Sequence, residues 1–182
     1  MRSPAAQIMT TKYRRASIHD AEAVARVHCE SWRTTYPGLI PDHVIDAKSD
    51  PEKRTHGWRK SIATQPETLW LADQNGEVVG FADGGIAREP NDGFSGQLFG
   101  IYLLKSAQRK GFGRALVGHV FDDLQAKGHT CARVEVLATN LPAIRFYQGL
   151  GAHYVRNVPF EMMGETLIES VYGWDRLPDV TA

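Results

Sequence analysis

The stretch that decides the fold runs from Gly96 to Lys127 and reads GQLFGIYLLKSAQRKGFGRALVGHVFDDLQAK. Its opening part, Gln97–Leu104, is rich in large apolar residues and reads as a strand. Its latter half, Gly113–Lys127, places Leu116, Val117, Val120, Phe121 and Leu124 on one face of a helix that Gly128 ends. Between them lies Gln108-Arg109-Lys110-Gly111-Phe112-Gly113-Arg114. Arg109, Lys110 and Arg114 thus cluster at a helix N-terminus, where unpaired N–H groups and roughly half a positive charge already favour an anion. Gly111 and Gly113 permit a sharp turn and close backbone approach. Together these parts make a site for a phosphate or pyrophosphate.

Two common nucleotide loops do not fit. A dinucleotide fingerprint needs a third glycine at the position held by Leu116. A Walker A loop needs Lys and then Ser or Thr after its second glycine. Gly113 and Gly118 have the right gap, but His119 and Val120 follow. The alternative to a phosphate loop is a plain glycine turn with solvated charges. The strand before, the amphipathic helix after and the clustered cations weigh against it.

Working outward, Tyr13–Ser17 reads as a short strand and His19–Thr34 as a helix that Ser17 or Asp20 caps. Pro37, Gly38 and Pro41 end it, and a second helix spans about Glu52–Ala63 behind Asp50 and Pro51. Thr68–Asp73 and Glu77–Ala87 form a hairpin about Asn75-Gly76. Arg88–Ser95 is a polar loop. Downstream, Thr130–Ala138 alternates as a strand, and Asn140–Gln148 is a short helix with Pro142 in its first turn. Ala152–Met162 and Glu165–Trp174 are closing strands. The pattern predicts an α/β fold with a mixed sheet, in which one strand–helix–strand unit is parallel and right-handed. A single domain over residues 11–176 is expected, with 1–10 and 177–182 as terminal tails.

The chain has 182 residues, of which 21 are basic and 21 acidic, and this balance lacks the positive footprint of a nucleic-acid binder. No apolar run approaches the roughly 18 residues that suggest a membrane span, and the start lacks a signal-peptide core. Cys29 and Cys131 form no CxxC or zinc pattern, and no histidine pair has metal-ligand spacing. The expectation is therefore a cytoplasmic protein with reduced thiols, no metal, no nucleic-acid partner and no membrane contact.

The sequence resembles the GCN5-related N-acetyltransferase superfamily. Gln108-x-x-Gly111-x-Gly113 fits that family's Q/R-x-x-G-x-G/A pyrophosphate loop for coenzyme A. A second matching run, Ala138–Tyr147 (ATNLPAIRFY), follows in the correct order, and the resemblance spans about Tyr13–Trp174. It implies a GNAT-type mixed, mostly antiparallel central sheet whose two parallel strands splay to admit coenzyme A. It implies that the backbone of Ile101, Tyr102 and Leu103 pairs with the pantetheine arm. Gln108, Arg109, Lys110, Gly111, Phe112, Gly113 and Arg114 would surround the pyrophosphate, and Asn140 and Ala143 would contact the coenzyme. Asn140 has a second possible role as the cap of the Pro142 helix. Tyr147 falls where similar enzymes place the tyrosine that faces the thioester sulfur; its other reading is core packing beside Phe146. Gly100 marks either the bulge that parts the strands or simple close packing.

Acyl transfer from a thioester to an amine makes three demands. The amine must be neutral, although a free alkyl ammonium has a pKa of roughly 10.4. The developing oxyanion needs a donor, which a freed backbone N–H near Tyr102 or Leu103 supplies. The leaving thiolate, with a pKa of about 8.5, benefits from a proton that the Tyr147 hydroxyl can give. Some members of the superfamily carry a Glu base on the strand before the loop, but here its early position is Gln97. Glu135, acting directly or through water, is the candidate base, against a reading in which it only pairs with Arg133. Glu161 and Glu169 are equally open. Trp32 and Tyr36, in the run Ser31–Pro41, either wall the acceptor pocket or plug the loop. The Arg88–Ser95 loop and the closing hairpin, with Phe160 and Met162, would face them. The expected function is transfer of an acetyl group from acetyl-CoA to a primary amine of a small molecule or amino-acid-like acceptor, by direct attack in a ternary complex. A homodimer is the expected assembly. The alternatives are a protein N-terminal or lysine acetyltransferase, and a non-catalytic acyl-CoA-binding sensor domain.

Overall fold

The computed structural model describes residues 10–65, 68–88 and 92–180. Seven strands form one sheet: β1 Thr11–Arg15, β2 Leu69–Gln74, β3 Glu77–Ile86, β4 Gly96–Leu103, β5 Ala132–Leu137, β6 His153–Met162 and β7 Glu165–Trp174. Their order is β1-β2-β3-β4-β5-β7-β6, and every neighbouring pair is antiparallel except β4 with β5. This is the mixed α/β architecture expected from the sequence. The parallel pair needs a crossover, which the helix α4, Phe112–Ala126, supplies.

The remaining helices are α1 Ala21–Thr35, α2 Asp42–Lys48, α3 Pro51–Thr64 and α5 Leu141–Gly149. Pro51 stands in the first turn of α3, and the Asp50 carboxylate accepts from the Lys53 N–H at 3.0 Å, closing an N-cap. Asn140 does the same for α5, accepting from the Ala143 N–H at 3.3 Å. A short 3₁₀ turn, Ile18–Asp20, precedes α1. The Asp20 carboxylate accepts from the Ser17 N–H at 2.8 Å and holds Arg14 in two further bonds of 2.8 and 2.9 Å.

Three expectations are corrected. The segment after Pro41 is not plain connection: Asp42–Lys48 is helical, and its Val44 and Ile45 are buried. Two adjacent large apolar residues in seven carry no periodic signal, so burial alone reveals this helix. The strand expected at Tyr13–Ser17 lies two residues earlier, because Ser17 is given to the cap of the turn before α1. Residues 177–180 do not form a loose tail, since Leu177 and Val180 belong to the main core. The leader 1–9, the loop positions 89–91 and the last two residues lie outside the described set.

The sheet separates two faces. Ala132, Val134 and Val136 point to the side of α4 and α5, where they meet Leu116, Val120 and Ile144 in the main core. The alternate residues of β5, Arg133, Glu135 and Leu137, point the other way. There Leu137 joins Trp32, Ile40, Val44 and Ile45 in a second, smaller apolar cluster. Register shifts also occur between β2 and β3 at Ala72–Asp73, between β3 and β4 at Asp83–Gly84, and between β6 and β7 at Tyr154–Arg156.

Candidate active site

The parting of β4 and β5 is the first element of the site. These strands pair only at Gly96–Ala132, Gln97–Arg133 and Leu98–Val134, although β4 continues to Leu103 and β5 to Leu137. Beyond Leu98 the edge of β4 facing β5 has no ladder partner, so its backbone groups are available to a ligand. A bulge sits at the same point. Gly84 pairs with Leu98 and Asp83 with Gly100, which leaves Phe99 as the extra residue of β4. Gly100 therefore does adjoin the irregularity where the strands part.

The second element is the turn into α4. Arg109 has φ 63° and Gly111 has φ 87°, both left-handed. Such turns converge successive N–H groups into an anion-binding concavity. A Cβ at Gly111 would meet nothing within 4 Å, so the space beside it is open. Arg109, Lys110 and Arg114 are exposed around it. Phe112 and Gly113 are buried, and Gly113 lets the Phe146 ring of α5 approach to 3.2 Å of the position a Cβ would take. The Gln108 amide turns back, donating to the Leu103 carbonyl at 3.3 Å, and the Ser31 hydroxyl donates to the same oxygen at 3.1 Å. Gln108 thus ties the loop to the end of β4, a support role the sequence alone did not reveal.

Tyr147 closes the site on the α5 side. Its ring is 5% exposed and lies edge-on to Phe146 and Trp174, with centroids 5.4 and 6.2 Å away. The core-packing reading of Tyr147 is thus met. Burial, and to a smaller extent the nearby Tyr102, push its hydroxyl pKa far up, so it holds a proton at neutral pH. Asn140 is 6% exposed and caps α5; Ala143 is half-buried, and the free edges of Ile101, Tyr102 and Leu103 lie on β4.

The third element is the opposite face, where α1 packs on the sheet. Tyr102 stacks on His28 with centroids 4.4 Å apart and planes 23° from parallel. His28 Nδ1 accepts from the Trp58 indole N–H at 3.1 Å, and burial drives the His28 pKa down to about 3, so this ring is neutral. Trp32 and Tyr36 pack together at 4.6 Å, and the Tyr36 and Tyr102 hydroxyls are hydrogen-bonding neighbours. Trp32 Nε1 stands near the Tyr102 hydroxyl without closing a well-directed bond. Trp32 thus belongs to the apolar plug, with Tyr36 packed against it.

The carboxylates divide in two. Glu135 is tied down: it lies 3.4 Å from the Arg133 guanidinium and accepts from the Gln97 amide at 3.4 Å. Arg133 is 1% exposed and is also paired with Asp92, which in turn binds Arg156. This network fixes the end of the Arg88–Ser95 loop against β5, and Gln97 serves it rather than acting as a base. Glu169 differs. It lies on β7 opposite Leu137 on one side and Val158 on the other, with Glu135 diagonally across. Burial first, and the Glu135 charge second, raise its pKa to about 7. Its charge acts on both Tyr36 and Tyr102, so it lies on the same side of the sheet as these hydroxyls. Burial thus makes Glu169 a carboxyl that can exchange a proton near neutrality, and it joins Glu135 as a candidate base. Its signal in the sequence was only an acidic residue on a closing strand. Phe160 and Met162 of β6 pack against the same apolar cluster as Trp32, as expected.

The arrangement can hold a diphosphate at the start of α4, run an extended arm along the edge of β4 and present its end to Tyr147 and Glu169. Comparison with known proteins gives the family. The model of the "Acetyltransferase (GNAT) family" matches residues 25–152. The chain is 35% identical to the uncharacterized N-acetyltransferase YuaI of Bacillus subtilis, over 93% of this chain and 94% of that protein. It is 32% identical to the [Ribosomal protein bS18]-alanine N-acetyltransferase of Escherichia coli, over 55% of this chain and 68% of that one. In fold it is similar to the PaiA N-acetyltransferase of Thermoplasma acidophilum, solved in complex with coenzyme A. That match has a TM-score of 0.68 and 23% identity, and covers 89% of this chain and 98% of that one. Among the described residues, no helix is long and apolar enough to cross a membrane. With the family model spanning most of the fold and the strands parted beside a left-handed glycine turn, the chain belongs to the GNAT family of acetyl-CoA-dependent acyltransferases.

Proposed function

We propose that the chain acetylates the primary amine of a small molecule by direct attack on acetyl-CoA. The observation that carries this reading is the closure of the acceptor side. Trp32, Ile40, Val44 and Ile45, from α1, α2 and their link, pack in one cluster with Phe160, Met162 and Leu167 of the β6–β7 hairpin. The His43 ring and Glu165 approach to 3.6 Å across the same seam. A polypeptide acceptor needs an open groove there, whereas a small amine fits a closed pocket.

The N–H groups of the turn at Arg109–Gly113 and the cations around it bind the pyrophosphate of acetyl-CoA. The free edge of β4 holds the pantetheine arm, so that the thioester enters at the parting of β4 and β5. Glu169 takes a proton from the ammonium, and the neutral nitrogen attacks the thioester carbon. A backbone N–H of β4, freed beyond Leu98, stabilises the oxyanion. The C–S bond then breaks as Tyr147 gives its proton to the sulfur; the acetylated nitrogen loses its second proton, which restores the Tyr147 hydroxyl, and Glu169 releases the first to solvent. Glu135 supports Glu169 by raising its pKa while remaining bound to Arg133 and Gln97.

Release of free thiol from acetyl-CoA, followed across a panel of small amines and peptides with free N-termini, tests the reading. Turnover confined to small amines supports it. Preference for the peptides would transfer the assignment to protein acetylation. Tight CoA binding without thiol release on any acceptor would make the domain a sensor.

A further inference from the structure

We infer that the acceptor is an amino acid whose carboxylate is bound by Arg54 of α3. This rests on the small-amine function proposed above and names its substrate class.

Arg54 is a half-buried cation. It stands one turn before Trp58, whose indole N–H meets His28 of α1. Its Nε donates to the Lys48 carbonyl at 2.6 Å, which leaves the edge that carries its two terminal nitrogens unused. Arg14, Arg15, Arg26 and Arg133 each pair with a carboxylate. Arg54 does not: burial works against its charge, and only Tyr102 and Cys29 favour it.

Other unmet donors gather at this cation. The Arg54 guanidinium carbon lies 5.6 Å from the centroid of the Trp32 ring. Trp32 Nε1 and His28 Nε2 are buried without a partner, and so is the hydroxyl of Ser49, which follows Lys48 in the chain. These three residues are 6%, 5% and 0% exposed. His28 is neutral and its Nδ1 accepts from Trp58, so its proton stands on Nε2. The indole, this edge of the imidazole and the guanidinium can only donate. Unpaired donors around an unpaired cation call for an anion. A carboxylate suits it, because the terminal nitrogens of a guanidinium match two carboxylate oxygens. Its arrival recovers the cost of burying a charge alone.

The site of this anion is tied to the chemistry through Tyr102. Its hydroxyl lies within electrostatic reach of both Arg54 and Glu169. An amino acid carries the complement of that pair, a carboxylate for Arg54 and an ammonium for the group that takes its proton.

The test follows thiol release from acetyl-CoA with the common α-amino acids and short ω-amino acids. The best of them is then compared with its decarboxylated amine and its amide. The amino acid should exceed both in kcat/KM by about 10- to 100-fold, the worth of a charge-assisted hydrogen bond. In Arg54→Gln this ratio should fall to near one, and Arg54→Lys, which keeps the charge without the fork, should retain part of it. A melting curve and titration with CoA show that each variant is folded. Calorimetry of the CoA-saturated wild type should show the same preference in binding. Turnover of amines with no preference for a carboxylate, or a preference that survives in folded Arg54→Gln, would overturn the inference and leave the small-amine function standing. Absence of turnover with every amine, in protein that binds CoA, would instead overturn that function, and the acceptor class with it.

Discussion

Leu98 and Val134 form the last paired position between β4 and β5. Two strands that start as an ordinary parallel ladder separate after it, exactly three pairs into their contact being replaced by an open edge on β4. The turn carrying Gly111 follows directly on the same chain, so one segment supplies both the slot for an extended arm and the anion site at its far end.

Gly111 separates charge from folding. Its φ of 87° is left-handed, and Asp and Asn tolerate that conformation better than other side chains. No atom lies within 4 Å of a Cβ there, so neither replacement clashes. Gly111→Asp should lower CoA affinity well over tenfold, since it sets a carboxylate against a diphosphate. Gly111→Asn should lose less. Calorimetric titration of CoA into both variants checks this, and equal affinities for wild type and the Asp variant would remove the turn from the binding site.

Tyr147→Phe keeps the edge-on contacts to Phe146 and Trp174 and deletes only the hydroxyl. Thermal stability should change little, while kcat should fall about 100-fold if the leaving sulfur draws its proton from this group. CoA affinity should be unaltered. Steady-state kinetics together with a melting curve distinguish loss of the acid from loss of packing.

Glu169 should set the acidic limb of the rate profile. It must be ionised to accept a proton, and burial with Glu135 raises its pKa to about 7. The groups facing it are Glu135 on β5, Tyr36 just beyond α1 and Tyr102 on β4. The value of kcat/KM should therefore rise with pH through a limb near 7 and level above it. Glu169→Gln should abolish the limb, and Glu135→Gln should move it to lower pH by removing a like charge. Stability carries the opposite sign. A raised folded-state pKa contributes stability that is complete below the unfolded value and lost as pH rises through about 7. Glu169→Gln should thus gain more in melting temperature, relative to wild type, at pH 8 than at pH 5.

Gly84 is the point at which α4 seats on the sheet. A Cβ there would stand 2.4 Å from Val120 Cγ1 and 2.9 Å from the backbone oxygen of Gln97. Gly84→Ala should cost about 1–3 kcal/mol of stability by overpacking. Because α4 carries the anion-binding turn, CoA affinity should fall as well. Denaturant unfolding of the apo protein gives the first quantity and titration with CoA the second.

The sequence alone was sufficient for the turn and for every long element. Helical spacing from Leu116 to Leu124, the alternation of β5, the proline starts of α3 and α5 and the Asn75-Gly76 hairpin are local features, set by residues within a few positions of one another. The same holds for the run Gln108–Arg114, whose glycines and cations stand next to each other in the chain. Tertiary structure decided what depends on distant segments meeting. Glu135 and Glu169 look alike as strand carboxylates; only the tertiary structure sets Arg133 and Gln97 beside the first and burial around the second. The helix at Asp42–Lys48 exists because Val44 and Ile45 find Trp32 and Leu137, and Leu177 and Val180 join the core because α4 and β5 leave room for them. Short-range pattern fixes conformation, whereas charge state and burial depend on long-range neighbours that no window of sequence contains.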